Sequence, residues 1–446
     1  MEGMFNSRFV SMLGMLAVSA SSCFAAEDLL DIYHYSLDAD PELRQAEIVR
    51  EISQETKRQD LARLLPSVNF SGNTTDNSQK RRYDVSLFDG EEDYNSHGYS
   101  LTLKQPLLRY ENNVNLKQAD DRINQAEAEL LSARQSLIIR VSEGYFNVLA
   151  AQDNLRFIEA EKKAVTRRLE QAEKRLNAGL VAITDVYEAK AHLDTTMAQE
   201  IEAQNQLANS LESLREVTDR YHDELRPLSE SFVLQKPEPS ESEKWVELAL
   251  KNNLQIIALR HNNRMLQREI GRQRAEHYPT LDLVASYSKS ISGGGNFGRS
   301  DTENRAVGIQ LNVPVYLGGA SQSRVRQAVY QYHKNMEKME ATVRSVQSQA
   351  RKAYLGVIAS IARVQSLKQS VVSNSKALKA IETGYEAGMR TTSDVLQATR
   401  ELFRAQRDYE RARYDYVLND LKLKRSAGNL SLSDLQQANL WLERRS

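Results

Sequence analysis

Two short stretches decide how this sequence folds: NAGLVAITDV, residues 177–186, and YEAGMRTTSDV, residues 385–395. Each joins a long helical pattern to another. Gly179 and Gly388, Asp185 and Asp394, and Val186 and Val395 lie 209 residues apart in each case. A glycine after a helical run marks a C-terminal cap, and an acid in the first turn after Ser or Thr marks a new helix start. One chain therefore carries the same turn twice, and self-similarity of this kind must be read before anything else.

Working outward, the similarity continues. Glu143-Gly-Tyr145-Phe-Asn-Val148 aligns with Lys352-Ala-Tyr354-Leu-Gly-Val357. Leu64-Leu-Pro66-Ser-Val68 resembles His277-Tyr-Pro279-Thr-Leu281, and Gln105-Pro106-Leu107 resembles Val313-Pro314-Val315. The halves are assigned to residues 26–235 and 245–446, joined by a Pro-, Glu- and Ser-rich linker at 236–244. Each half is expected to hold a short helix, two short strands around a polar loop, a very long helix, the glycine turn and a returning helix. The strands are placed near 67–76, 98–106, 280–290 and 306–315. The long helices are placed near 111–177 and 320–386, and the returning helices near 184–220 and 393–427.

Residues 115–177 alone contain no proline, and a helix of that length spans roughly 95 Å. Leu116, Ile123, Leu130 and Leu137 recur every seven residues, and Val141, Val148, Leu155, Leu169 and Leu176 continue after a shift of register. Val325, Tyr332, Met339, Val346, Val357, Val364, Val371, Leu378 and Tyr385 repeat the pattern in the second half. A sustained seven-residue repeat packs helices side by side, and Ala119, Ala126 and Ala133 allow close approach. Polar residues on more than one face suit either the wall of a tube or a coiled-coil rod.

The strands bear on that choice. Val68-Asn-Phe70-Ser-Gly72-Asn73 alternates with period two, as do the runs at 99–104, 281–287 and 307–313. Such runs fit tilted membrane strands or a small soluble sheet on the helices. Tyr83, Phe88, Tyr94 and Phe297, in the loops between strands, are candidates for a lipid–water boundary. A sheet in lipid must close on itself, and four strands fall below the minimum of about eight. Several chains would then share one barrel: two copies give a filled interior, and three give twelve strands and room for a channel.

Composition bounds the rest. The chain has 446 residues and 41% hydrophobic content, with 59 Lys+Arg against 60 Asp+Glu. The balance supplies no field for nucleic acid. Residues 1–25 read as a secretory signal peptide: Arg8, then an apolar run from Phe9 to Ala20, then Cys23-Phe24-Ala25 with small residues before the cut. Cys23 is the only cysteine. Lipidation there is an alternative, but Ala20 stands where a large aliphatic residue is usual. Cleavage leaves a mature chain without disulfides or thiolate metal ligands. The Gly293-Gly-Gly295 run opens no helix and is no phosphate loop, and the seven histidines show no metal spacing. No cofactor and no enzymatic activity are expected.

Tyr145-FNVL-Ala150, Asn177-AGLVAITDV, Leu214-REVTDR-Tyr221, Tyr278-PTLDL-Val284, Pro314-VYLGG-Ala320 and Gly384-YEAGMRTTSDVL-Gln397 resemble the outer-membrane efflux proteins of the TolC family. The resemblance runs from Asp40-Pro-Glu-Leu43 to Leu430. It implies a mainly α fold with a small β part: a homotrimer whose protomers each give four strands to a twelve-stranded outer-membrane barrel, continued by a periplasmic α-helical barrel. It implies an exit duct for drugs or proteins, docking a periplasmic adaptor and an inner-membrane ABC, RND or MFS transporter. A soluble periplasmic coiled-coil adaptor or scaffold is the alternative from the residues alone.

The resemblance also implies a periplasmic gate at the helix turns, built from Thr184, Asp185, Tyr385, Arg390, Asp394 and Gln397. In that reading Asp185 bonds Tyr385 and Arg390 within and between protomers, and Asp394 forms an acidic ring. Gln397 stands where many members have a second acid, which weakens any cation block. The turns Ala178-Gly179-Leu180 and Ala387-Gly388-Met389 are the implied adaptor-docking points, with Ala178 where the family carries Val. From the residues alone, Asp185 and Asp394 read as ordinary helix-start acids. Capping and gating are compatible.

Overall fold

The computed structural model describes residues 26–82, 84, 90–222, 224–230, 232–295 and 298–443. The expected signal peptide and Tyr83, Phe88 and Phe297 lie outside the described residues. The first half contains α1 (Leu29–Ala39), α2 (Pro41–Ala62), β1 (Ser67–Arg81), β2 (Gly90–Leu108), α3 (Tyr110–Asn177) and α4 (Ile183–Thr218). The second repeats the order with α5 (Ser242–Asn252), α6 (Leu254–Arg274), β3 (Thr280–Ser292), β4 (Ser300–Asn312), α7 (Ala320–Glu386) and α8 (Thr392–Ser426), and α9 (Leu432–Asn439) follows.

Three expectations are corrected. Each half opens with two helices rather than one. Asp40 is extended and caps α2, with its carboxylate accepting from the Leu43 amide at 2.8 Å and Pro41 at the first helical position. Proline disfavours a helical residue before it, so the chain must break there. Asn253 caps α6 in the same way. The second correction concerns the strands. Much of the polar loop expected between the first two strands, residues 77–97, is paired strand, with Asn77 opposite Tyr94 and Arg81 opposite Gly90. The strand β4 likewise begins at Ser300. The linker is also shorter than expected, because α5 begins at Ser242.

The heptad seams are packed. Leu130, Leu137, Val141, Val148, Val346, Val357 and Val364 are buried, as are Ala119 and Ala126 where helices come close. The main core sits around the middle of α3, where Tyr145, Phe146, Tyr414 and Tyr416 are almost fully enclosed. Phe146 stacks on Tyr414 at 5.7 Å, and the Tyr145 hydroxyl donates to the Arg226 carbonyl at 2.8 Å. That knot ties α1, α3, α8 and the segment after α4 into one belt. Among the described residues, no helix is long and apolar enough to cross a membrane.

Candidate functional site: the helix tips and the sheet

At the far end of the helices, both glycine turns close by the same hydrogen bonds. The Gly179 amide donates to Leu176 at 2.9 Å and Leu180 to Arg175 at 2.9 Å; Gly388 donates to Tyr385 at 3.0 Å and Met389 to Gly384 at 2.8 Å. These are Schellman caps. They require the left-handed region, and φ is +69° at Gly179 and +75° at Gly388. A Cβ built at either glycine meets nothing within 4 Å. The requirement is therefore backbone conformation and not room within the chain. Leu180 and Met389 project outward, 68% and 77% exposed.

The side chains around the two turns differ. At the second, Thr391 and Asp394 form a capping box: the Asp394 amide donates to the Thr391 hydroxyl at 3.1 Å, and the Thr391 amide to the Asp394 carboxylate at 3.0 Å. Those bonds, with the Arg390 charge, hold the Asp394 carboxyl below its ordinary range. Tyr385 is buried. The Arg175 and Arg168 guanidiniums lie 4.9 and 5.9 Å from its ring centre, and the Thr392 hydroxyl donates to its hydroxyl at 3.4 Å. Arg168 also pairs with Glu382. Gly384 leaves space for Arg390, since a Cβ there would stand 2.9 Å from the Arg390 Cγ.

At the first turn, α4 is capped by Ala182, which makes no side-chain hydrogen bond. Thr184 is exposed and Asp185 half-buried. The Asp185 amide donates to the Ala182 carbonyl at 3.1 Å, but its carboxylate has no hydrogen-bond or ion-pair partner among the described residues, and no bond joins it to Tyr385 or Arg390 within the chain. Gln397 is exposed one turn beyond Asp394. The two tips meet through Val165 of α3, Ala189 of α4 and Leu396 of α8, all buried together. The structure thus gathers Tyr385, Arg390, Thr392 and Asp394 and leaves Asp185 apart. Arg168, Arg175 and Glu382 complete the surroundings of Tyr385, and no local motif announces them.

At the other end lies one antiparallel sheet, ordered β1-β2-β3-β4. Paired residues share a face, so the register sorts the side chains. One face carries Val68-Leu103-Ala285-Val307, Phe70-Leu101-Tyr287-Arg305 and Leu281-Leu311. The other carries Asn69-Thr102-Ser286-Ala306 and Ser71-Ser100-Ser288-Asn304. The apolar face lies open: Phe70 is 68% exposed, Val307 78% and Ile309 66%. Tyrosines flank it, Tyr99 against Tyr287 at one end and Tyr110 against Tyr278 at the other. The path from Tyr278 to Tyr287 rises about 30 Å along the strand, which a tilt of ~40° reduces to the ~25 Å apolar band of an outer-membrane barrel.

A model of the outer membrane efflux protein family matches residues 32–219 and 245–429. The chain belongs to that family. Outer membrane protein TolC of Vibrio cholerae is 34% identical to it over 429 residues, covering 95% of each chain. Alkaline protease secretion protein AprF of Pseudomonas aeruginosa is 31% identical over 412 residues, covering 92% of this chain and 86% of that one. The Campylobacter jejuni CmeC outer membrane channel matches the fold with a TM-score of 0.79 at 16% identity, covering 99% and 98% of the two chains. This outer membrane efflux protein is an exit channel for efflux or type I secretion, not an enzyme or a soluble scaffold. It is an outer-membrane channel that extends into the periplasm.

Proposed function

We propose that three copies of this chain assemble into one closed duct whose periplasmic end is gated at the two helix tips. The observation that carries this reading is the open sheet. Both β1 and β4 are edges, and an edge left unpaired in lipid exposes backbone groups at several kcal/mol each. Four strands cannot close alone, and twelve enclose a lumen. The Ser-, Thr- and Asn-rich face then lines the water-filled interior, and the apolar face meets lipid.

At the tips, the Asp185 carboxylate has no partner among the described residues of its own chain, and Arg390 is exposed on the opposite turn. Assembly places the tips around one axis, where an Asp185–Arg390 bond between copies would hold the end shut. Charge-assisted bonds of this kind hold a state without covalent links. Asp394 keeps its negative charge while capping α8, so three copies present a ring that attracts cations. The exposed Leu180 and Met389 turns offer docking points to a periplasmic adaptor, which would couple the duct to an inner-membrane ABC, RND or MFS transporter. The cargo is a drug or a protein.

Planar-bilayer conductance tests the gate. Asp185→Ala combined with Arg390→Ala is expected to raise single-channel conductance severalfold, because removing both partners opens the constriction. Conductance equal to the parent's rejects Asp185 and Arg390 as the latch.

A further inference from the structure

The internal repeat specifies how one copy meets the next. Corresponding positions are fixed independently of assembly. The N-caps Asp40 and Asn253, and Pro66 and Pro279, each lie 213 apart, while Pro106 and Pro314 lie 208 apart and Gly179 and Gly388 lie 209 apart. The sheet obeys these shifts: Val68 opposite Leu103 and Phe70 opposite Leu101 become Leu281 opposite Leu311 and Leu283 opposite Ile309, and both pairs are present.

One junction inside the chain therefore has a missing counterpart. Where the halves meet, α6 covers α3. The Gln118 amide donates to the Met265 carbonyl at 2.9 Å, and Asp121 holds His261 at 3.3 Å and Arg268 at 2.5 Å. Gln118 and Asp121 are buried there. The same shifts carry Asp121 to Tyr330 on α7, and His261 and Met265 to Ile48 and Ile52 on α2. These three stay uncovered in a single chain: Tyr330 is 70% exposed, Ile48 54% and Ile52 59%.

We infer that Tyr330 packs between Ile48 and Ile52 of the partner subunit, so that the seam between copies repeats the seam between halves. The inference rests on the duct proposed above and adds its contacts and register. An aromatic ring and two β-branched residues, each uncovered alone, bury one another there. In the sheet, Thr102 opposite Ser286 becomes Gln310 opposite Asn73 of the partner subunit. The polar seam within the chain is thus matched by an apolar seam between chains. Exposed apolar side chains clustered at such a place mark an interface.

Cross-linking in native outer membranes tests this, because Cys23 lies in the expected signal peptide and no other cysteine is present. With Ile52→Cys and Tyr330→Cys in one chain, a short bismaleimide should shift the monomer band to covalent dimer and trimer. Ile52→Cys with Glu337→Cys, two turns further along α7, should stay monomeric. Cross-linking of the control pair in place of the first, or of neither pair while the untreated protein sediments as a trimer, overturns the contact and leaves the duct standing. Sedimentation as a monomer removes the duct itself. The sheet supplies a second reading that does not disturb the helices. Asn73→Cys should link to Gln310→Cys, and linkage of Gln310→Cys to Thr75→Cys instead means the register has slipped and overturns the correspondence.

Discussion

The two helix tips share a backbone and differ in nearly everything attached to it. Both close with the same pair of hydrogen bonds through a left-handed glycine. Yet the second tip has a capping box and a buried tyrosine beneath two arginines, whereas the first has an alanine cap and an acid whose carboxylate has no partner among the described residues. The repeat has kept the conformation and released the side chains. The tip at Asp394 has its cap bonds satisfied within the chain. The tip at Asp185 has its carboxylate available for a neighbour. Equivalent positions in a repeat can therefore carry different roles. Asp394 stabilises its own helix, and the proposed latch falls to Asp185.

The largest expected contrast lies just before the turns. Tyr385→Ala removes a buried ring and its arginine contacts and should destabilise the second tip by about 3 kcal/mol. Its counterpart by the repeat is Leu176, only half-buried, so Leu176→Ala should cost about 1 kcal/mol at the first. Hydrogen exchange resolved to each tip measures both, and equal costs would break the asymmetry. The glycines should behave the opposite way. Gly179→Ala and Gly388→Ala face the same left-handed φ with empty space around each. Each should cost about 1–2 kcal/mol, by the same amount within error. A clear difference between them, seen by the same exchange measurement, would mean that the backbones are not equivalent in the assembled protein.

What is legible in the sequence follows the physics of each signal. The fold class is readable because heptads in the long helices mark the buried seams and period-two runs such as Val68 to Asn73 mark a sheet with two unlike faces. The outer parts of the strands are not, because alternation records a contrast between two environments. From Thr74 to Arg81 both faces of β1 are polar, the contrast vanishes, and the hydrogen-bonded ladder continues without it. The break at Asp40-Pro41 has a local signal in its proline, but the helical pattern on both sides hides it. At the tips, Gly179 and Gly388 carry their backbone meaning locally. The arginines over Tyr385 do not: Arg168 and Arg175 lie on α3, far away in sequence, and the packing of α3 against α8, which in turn pairs with α7, brings them to the ring.

Acid gives the smallest contrast and the most selective one. The Asp394 carboxyl titrates below its ordinary value because the Thr391 amide and hydroxyl bond its charged form and Arg390 attracts it. A carboxylate with a lowered folded pKa adds stability that is fully present above its unfolded pKa of ~3.9 and is lost as pH falls through the lower folded value. Lowering the pH from about 5 to about 3 should therefore loosen the start of α8, read as faster exchange of the amides from Thr392 to Leu396 after correction for intrinsic rate. Asp394→Asn should abolish the dependence. The start of α4 carries no such cap, because Ala182 makes no side-chain hydrogen bond there.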